Sequence, residues 1–271
     1  MKTYFQIQIE TNSSDEAEML IAELSDINFY AFEQENNLLN AYVNEADFNE
    51  EKLKKVLPAK TLFSKKIIEE ENWNQQWENS IEPVVVNNFA AIRPSFSKPI
   101  NHVKFDLVIT PKMSFGTGHH ATTFLMIELM GTLDFNNKTV LDFGTGTAVL
   151  AILAKKCGAS KVIAIDNDDW SINNAKENIE ANNCNEISVK LQSDLSEIGP
   201  VDIVLANINL NVLKNHADSL SSILKPGGKL LTSGFLTRDE NEIQEAFEQK
   251  NLVKKSAKHR SDWLAVLFEK P

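Results

Sequence analysis

The sequence predicts an α/β protein in which a small α+β domain precedes a larger domain built on a parallel sheet. From Thr139 onward, short apolar strands alternate with amphipathic helices, which is typical of a parallel sheet covered on both faces. The motif Asp-Phe-Gly-Thr-Gly at residues 142–146 ends the first of these strands, and such a turn is typical of nucleotide binding. Residues 1–69 follow the order β-α-β-β-α-β. We therefore expect a ferredoxin-like domain at 1–69, a linker helix at 70–83 and a seven-stranded, Rossmann-like domain at 84–271.

Alternation of apolar and polar residues defines the first domain. Phe5, Ile7 and Ile9 alternate with polar or amphipathic neighbours, which predicts a half-buried strand. Residues 12–15 offer N-cap side chains for the helix that follows. The predicted elements are a strand at Lys2–Glu10, a helix from Asp15, strands at Asn28–Gln34 and Leu38–Val43, a short helix from Asp47 and a strand at Thr61–Glu69.

The linker segment is polar and carries two tryptophans. Trp73 and Trp77 are four residues apart, which places them on one face of a helix. We expect these indoles to pack against a neighbouring domain rather than to bind substrate.

The second domain repeats strands and helices in a regular order. Gly158 follows the first helix as a C-cap, and residues 226–228 read Pro-Gly-Gly, a predicted turn. The strands are predicted at Val84–Ser95, Val103–Ile109, Thr139–Phe143, Lys161–Ile165, Ile187–Leu191, Val201–Ala206, Gly228–Ser233, Val253–Ser256 and Trp263–Phe268. The helices are predicted at Thr147–Cys157, Trp170–Asn182, Leu210–Leu224 and Glu240–Gln249.

Composition limits the class of protein. The chain has 271 residues, 42% hydrophobic and 24% charged, as in globular proteins. The chain opens on strand-like alternation rather than a signal peptide, and no apolar run approaches the ~20 residues of a membrane span. Cys157 and Cys184 are too few for a disulfide framework, and no metal-ligand cluster stands out. We therefore expect a cytoplasmic protein without a membrane or metal partner.

Negative charge is concentrated at the N-terminus. The first fifty residues contain eleven Asp or Glu and one basic residue, Lys2. Such a surface repels nucleic acid phosphates and attracts basic proteins, although it also suits a merely solubilising role. A nucleic acid is therefore disfavoured as the direct substrate.

Four polar features follow strands of the predicted parallel sheet, where doubly wound folds bind their ligands. The first is the 142–146 turn with Asp142, Gly144 and Gly146. Asp166 ends the next strand, roughly 20 residues after Gly144, the spacing of an acid that binds ribose hydroxyls. Asp194 follows the third strand, where it could accept from an adenine amino group, and Asn207 ends the fourth.

Two features that are absent from the turn narrow the choice of nucleotide. A dinucleotide-binding turn has a third Gly or Ala where this chain has Val149, and no phosphate-loop lysine follows the glycines. These absences disfavour NAD and ATP. The remaining pattern suits a cofactor with a ribose, an adenine and an amino-acid tail.

The sequence resembles the class I S-adenosylmethionine-dependent methyltransferases and, among them, the ribosomal protein L11 methyltransferase family. The segment from Pro111 to Thr123 (Pro-Lys-Met-Ser-Phe-Gly-Thr-Gly-His-His-Ala-Thr-Thr) is similar to a family segment that lies over the cofactor. The resemblance implies S-adenosylmethionine as cofactor. Its implied contacts are Thr123 (with Thr122 beside it), Gly144, Asp166 and Asn207, and Phe115 and Gly116 against the methionine moiety.

Two positions depart from the family pattern. Asn207 is followed by Ile208 and Asn209 where the family usually has Ile-Leu, and position 119 is His119 where the family often has Thr. Both departures concern the acceptor side of the site.

The resemblance also implies the acceptor, which is ribosomal protein L11, methylated at its N-terminal amine and at lysines up to the trimethyl state. We expect a monomer. Such amines are protonated near pH 7 and must first become neutral, which an apolar pocket beside a sulfonium favours. Asn207 is the predicted catalytic residue, since its side-chain carbonyl can accept an N–H and aim the lone pair at the methyl group. For His120 we expect a structural hydrogen bond rather than a catalytic role.

Other functions remain open from the residues alone. A methyltransferase of this fold could act on another basic protein or on a small molecule. A non-catalytic binding protein would be expected to have lost Asp142, Gly144, Asp166 or Asn207, all of which are present. A NAD-dependent oxidoreductase is disfavoured by Val149.

Overall fold

The computed structural model describes residues 3–11, 13–35, 37–58, 61–69, 82–110 and 120–271. The chain divides into two compact units, Met1–Ser80 and Ile81–Pro271. The predicted linker helix, with Trp73 and Trp77, lies outside the described residues except for 82 and 83. Phe115, Gly116 and His119 also lie outside them, so the roles assigned to these residues stay predictions.

The first unit is a four-stranded antiparallel sheet with two helices. Its elements are β1 (Thr3–Glu10), α1 (Ser14–Ser25), β2 (Ala31–Glu35), β3 (Leu38–Asn44), α2 (Glu50–Val56) and β4 (Phe63–Glu69). The strand order is β2-β3-β1-β4, and every neighbouring pair is antiparallel. This is the ferredoxin-like arrangement that the element order predicts.

Apolar and polar residues alternate along β1, which places them on opposite faces of this sheet. Phe5, Ile7 and Ile9 are buried in one cluster with residues of both helices, because successive side chains of a strand point to opposite faces. The helix predicted to begin at Asp47 begins at Glu50 instead. Asn49 is its N-cap, with Oδ1 accepting from the Lys52 backbone N–H at 3.0 Å.

The second unit contains a seven-stranded sheet in the order β10-β9-β8-β11-β12-β14-β13. Its strands are β8 (Thr139–Phe143), β9 (Lys161–Asp166), β10 (Ser188–Leu191), β11 (Val201–Asn207), β12 (Leu224–Leu236), β13 (Val253–Arg260) and β14 (Trp263–Glu269). Only β14 runs antiparallel to its two neighbours, and the other neighbouring pairs are parallel. The predicted Rossmann-like sheet is therefore present.

Two apolar clusters cover the faces of this sheet. The helices in this unit are α3 (Ala121–Met130), α4 (Val149–Lys156), α5 (Asp169–Ala181), α6 (Leu210–Asn215), α7 (Ala217–Ile223) and α8 (Glu240–Glu248). Before α3, a separate three-stranded sheet is formed by β5 (Val84–Val86), β6 (Ala90–Arg93) and β7 (Phe105–Val108).

Several predicted boundaries are wrong. The strand predicted at Val84–Ser95 is the hairpin β5–β6, because the chain turns at Asn87 with a φ of 52°. The helix predicted at Leu210–Leu224 is split into α6 and α7 at His216, whose φ and ψ of −102° and 8° leave the helical range. The turn predicted at residues 226–228 lies inside β12, where the Gly227 N–H donates to the Lys270 carbonyl at 2.8 Å.

Helix α3 was not predicted. Seven of its ten residues are buried, so its sequence lacks the polar stripe by which a surface helix is identified. Among the described residues, none of the helices has the length and apolar character required to span a membrane.

Candidate active site

A cavity of about 620 Å³ lies where the parallel strands of the large sheet end. Its volume is in the range of small-molecule sites. Gly144, Gly146, Asp166 and Asn207 line this cavity, so four of the predicted site residues come together there. Thr123, Asp142 and Asp194 are not among the residues that line it.

The glycine turn packs against Ile208, the residue that follows β11. Gly144 has a φ of 75°, and a Cβ added there would lie 2.3 Å from Cγ2 of Ile208. The backbone N–H groups of Gly144 and Thr145 both donate to the Ile165 carbonyl, at 3.0 and 2.9 Å. A side chain at position 144 is therefore excluded both by the backbone angle and by Ile208.

Asp142 supports this turn from behind. The side chain is 1% exposed, and its Oδ2 accepts from Thr145 Oγ1 at 2.6 Å and from the Ala151 backbone N–H at 3.1 Å. Burial raises the pKa of Asp142 to about 7. Asp142 ties the turn to the start of α4 and does not line the cavity, so its direct contact with the cofactor stays a prediction.

Asp166 links the turn to the end of β9. Its Oδ2 accepts from the Gly146 backbone N–H at 2.9 Å, and its Oδ1 accepts from the Asp168 N–H at 3.2 Å. These bonds fix the carboxylate at the edge of the cavity. A carboxylate has further lone pairs, so Asp166 can still accept from ribose hydroxyls.

The adenine contact of Asp194 stays a prediction, and the structure places Asp194 outside the residues that line the cavity. Its exposed carboxylate accepts from the backbone N–H of Ser196 at 2.9 Å and from the Ser196 hydroxyl. The side chain thus closes a local turn instead of reaching the cavity. Gln192 and Ser193 line the cavity at this position.

Asn207 presents an acceptor without a partner. Its Nδ2 donates to Oγ1 of Thr123, a fully buried residue of α3, at 3.3 Å. Its Oδ1 is buried and has no hydrogen-bond partner among the described residues. Since a buried carbonyl without a donor is costly, this atom is a candidate acceptor for a ligand N–H.

His120 and Trp263 close another side of the cavity. His120 is the N-cap of α3, where its Nδ1 accepts from the Thr122 backbone N–H at 3.3 Å. The imidazole also contacts the Trp263 indole, with ring centroids 4.5 Å apart. Burial lowers the pKa of His120, so the ring is neutral near pH 7.

Gly234 and Trp263 are among the lining residues that the sequence reasoning missed, and Asn209 was identified only as a departure from the family pattern. Gly234 has a φ of 102°, and a Cβ there would lie 2.3 Å from the Ile208 carbonyl oxygen, so β12 approaches the end of β11 closely. Asn209 caps α6 by accepting from the Val212 N–H at 3.1 Å, which gives this departure from the family pattern a structural role. Trp263 is brought to the cavity by strand pairing.

The donors and acceptors of the cavity fit an adenosyl cofactor. Asp166 offers a carboxylate for ribose, and the Oδ1 of Asn207 offers an acceptor deeper in the site. No group of His, Cys, Asp or Glu in the described part of the chain could hold a metal ion.

Comparison with known proteins gives one consistent family. A family model described as "Ribosomal protein L11 methyltransferase (PrmA)" matches residues 3–271. A ribosomal protein L11 methyltransferase of Bacteroides thetaiotaomicron is 36% identical over 98% of this chain and 99% of its own length. One of Porphyromonas gingivalis is 37% identical over 93% of this chain and 90% of its own length. The crystal structure of a ribosomal protein L11 methylase from Lactobacillus delbrueckii subsp. bulgaricus is similar with a TM-score of 0.66 and 26% identity, over 70% of this chain and all of that one.

Proposed function

This chain belongs to the ribosomal protein L11 methyltransferase family, and from that premise we propose that it methylates amines of ribosomal protein L11. The methyl donor is S-adenosylmethionine, and the acceptors are the N-terminal α-amine and lysine side chains. The single observation that carries the proposed chemistry is the buried Oδ1 of Asn207, an unpartnered acceptor in the same cavity as Gly144 and Asp166.

The β8–β10 side of the cavity suits the adenosyl part of the cofactor. Asp166 would accept from the ribose hydroxyls, because its carboxylate is fixed by the Gly146 and Asp168 N–H groups. Gly144 and Gly146 line the cavity, so the backbone of the turn borders the space proposed for the ligand. Bound S-adenosylmethionine supplies a methyl group already activated on a sulfonium.

Asn207 would orient the acceptor amine. Its Nδ2 bond to Thr123 fixes the amide plane and leaves Oδ1 to accept an N–H of the amine. A neutral amine held in this way keeps its lone pair for the methyl carbon. Orientation of two reactants in line is a large part of the rate enhancement available to such an enzyme.

The cavity also favours the neutral amine. A lysine amine has a pKa of ~10.4 in water, and an apolar surrounding lowers it. Asp166 is the single carboxylate among the described lining residues, and it is held by backbone N–H groups at the β9 end. The proton leaves to solvent before transfer.

The first unit is proposed to bind the acceptor protein. The face of its sheet opposite the buried Phe5 and Ile7 carries Tyr4 and Tyr42, and the Tyr42 hydroxyl donates to Glu33 at 2.7 Å. Tyrosines are enriched in protein interfaces, and the acidic balance of the first fifty residues suits a basic, RNA-binding protein. The same charge disfavours a nucleic acid substrate. We propose a monomer that acts in the cytoplasm, where ribosomal proteins are made.

Transfer of labelled methyl groups tests this function. The protein is incubated with methyl-labelled S-adenosylmethionine and purified ribosomal proteins, and the label is located by mass spectrometry. Label on the α-amine and lysines of ribosomal protein L11 is the expected result. Cofactor binding without label on any ribosomal protein would contradict the acceptor and favour a methyltransferase of other substrates.

A further inference from the structure

The cavity is longer than the part assigned to the adenosyl group. It runs from Gln192, just after β10, to Trp263 at the start of β14. Because β14 is antiparallel to β12, Trp263 pairs with Leu236, the last residue of β12, at the carboxyl edge of the sheet. Six strands from β10 to β14 therefore border the cavity, and five spacings of about 4.8 Å give roughly 24 Å.

The two ends of this cavity differ in chemistry. Asp166, Ser171, Gln192 and Ser193 give the β9–β10 end its polar groups. The cavity lining also includes Ile208 and Asn209, which follow Asn207 at the end of β11, and Gly234, Trp263 and the neighbouring His120 on the side of β12 and β14. With the adenosyl group beside Asp166, the Trp263 end is left for the acceptor amine.

The Trp263 indole is held in place at this end. It contacts the His120 ring at a centroid distance of 4.5 Å and an interplanar angle of 69°. His120 is in turn fixed by its bond from the Thr122 N–H. A neutral imidazole does not repel a cation, and no acidic side chain among the described residues lining this end could form an ion pair with one.

We propose that Trp263 determines how many methyl groups one amine receives, by binding the methylated ammonium through a cation–π contact. This inference rests on the proposed function. In each transfer the amine lone pair forms the new N–C bond, and the electrons of the broken S–C bond remain on sulfur. After the first and second transfers the resulting ammonium releases a proton to water, whereas the trimethylammonium formed by the third transfer has no proton to release. An indole attracts mono- and dimethylammonium groups without a hydrogen bond, so it keeps the amine in the site as its N–H donors are lost.

A binding experiment tests Trp263 without any acceptor protein. Tetramethylammonium is titrated into the complex of the protein with S-adenosylhomocysteine, and its affinity is measured by calorimetry. We expect Trp263→Leu to weaken this affinity by about 2- to 30-fold, the range of a cation–π contact, and Trp263→Phe to weaken it less. Trp170→Leu is the matched control, because Trp170 is 57% exposed and does not line the cavity.

Product analysis gives the second readout. With ribosomal protein L11 as acceptor, we expect Trp263→Leu to shift the products toward monomethylated amines, because the second and third transfers slow more than the first. The affinity for S-adenosylmethionine should change less than about two-fold, below the loss expected for a removed contact. Equal tetramethylammonium affinity of Trp263→Leu and wild type would overturn the proposal, as would an equal loss of all methylation states. If the wild type labels no ribosomal protein but the tetramethylammonium result holds, the acceptor assignment fails and the Trp263 site stands.

Discussion

Asn207 donates through Nδ2 to Oγ1 of Thr123, at 3.3 Å, and this bond joins the end of β11 to helix α3. Thr123 is fully buried and does not line the cavity, whereas Asn207 does. The bond therefore determines which way the Asn207 amide faces. Its consequence is that Oδ1 is the atom left for a ligand.

Gly144 is expected to tolerate no side chain. In Gly144→Ala the new Cβ meets Cγ2 of Ile208 at 2.3 Å, at a φ of 75°. We expect a loss of about 1–3 kcal/mol in the free energy of unfolding and no detectable binding of S-adenosylmethionine by calorimetry. Gly199→Ala is the control, because a Cβ there meets nothing within 4 Å, and its stability should stay within about 0.5 kcal/mol of wild type. Normal cofactor binding by Gly144→Ala would contradict the described turn.

Asp166 and Asp194 are predicted to differ in their effect on cofactor affinity. Removing the Asp166 carboxylate should weaken S-adenosylmethionine binding at least about 10-fold, the scale of a hydrogen bond to a charged group. Asp194→Ala should bind it like wild type, since Asp194 bonds to Ser196 outside the cavity. Calorimetric titration of both variants checks this. A larger loss of affinity for S-adenosylmethionine in Asp194→Ala than in Asp166→Ala would contradict this expectation and support the adenine contact that the sequence predicts.

Asp142 makes the stability of the cofactor-free protein depend on pH. Its pKa is 3.8 in a model peptide and about 7 in the fold because of burial. Between these values the folded state binds more protons than the unfolded state, so this group lowers the free energy of unfolding as pH rises from about 4 to about 7. Asp142→Asn cannot ionise and should remove that contribution.

Urea unfolding at about pH 5 and about pH 8 measures the effect. Relative to Asp142→Asn, the wild type should lose more stability between the two values, by a few kcal/mol at most. The same pH dependence in both proteins would show that Asp142 is not buried as described.

The open face of the first sheet is predicted to set the affinity for the acceptor. Glu33→Lys reverses a charge beside Tyr42 and should raise the KM for ribosomal protein L11 roughly 5-fold, the equivalent of about 1 kcal/mol. The affinity of Glu33→Lys for S-adenosylmethionine should equal that of wild type. Glu23→Lys makes the same charge change at an exposed position of α1 and should leave KM near wild type. Equal effects of the two variants would indicate a diffuse charge effect instead of a surface.

Local sequence patterns predicted much of the fold, and contacts between distant segments explain the errors. The strands from Thr139 onward and the turn at Gly144 are encoded within a few residues each. Helix α3 was missed because Ala121–Met130 is buried on most sides and shows no amphipathic period.

Residues of the candidate site could be predicted from the sequence where they belong to a local motif. Asp166 and Asn207 each end an apolar strand, β9 and β11, which is visible in the sequence. Gly234 reaches the cavity through the pairing of β12 with β11, and Trp263 reaches it through the pairing of β14 with β12. No local pattern specifies these pairings. Asp194 lies outside the cavity lining because its carboxylate bonds to Ser196, two residues away, a local contact that the strand pattern does not specify.

The rate of methyl transfer to ribosomal protein L11 by Asn207→Ala tests the central claim most directly. It is measured at saturating S-adenosylmethionine by intact mass spectrometry, beside wild type and the control Asn136→Ala, whose side chain is exposed and does not line the cavity. We expect the wild type and the control to methylate the protein equally, and Asn207→Ala to be slower by roughly 100-fold, the scale of one lost orienting group, with a far smaller change in cofactor affinity. A full rate with Asn207→Ala, or no methyl group on ribosomal protein L11 with the wild type, would contradict the account.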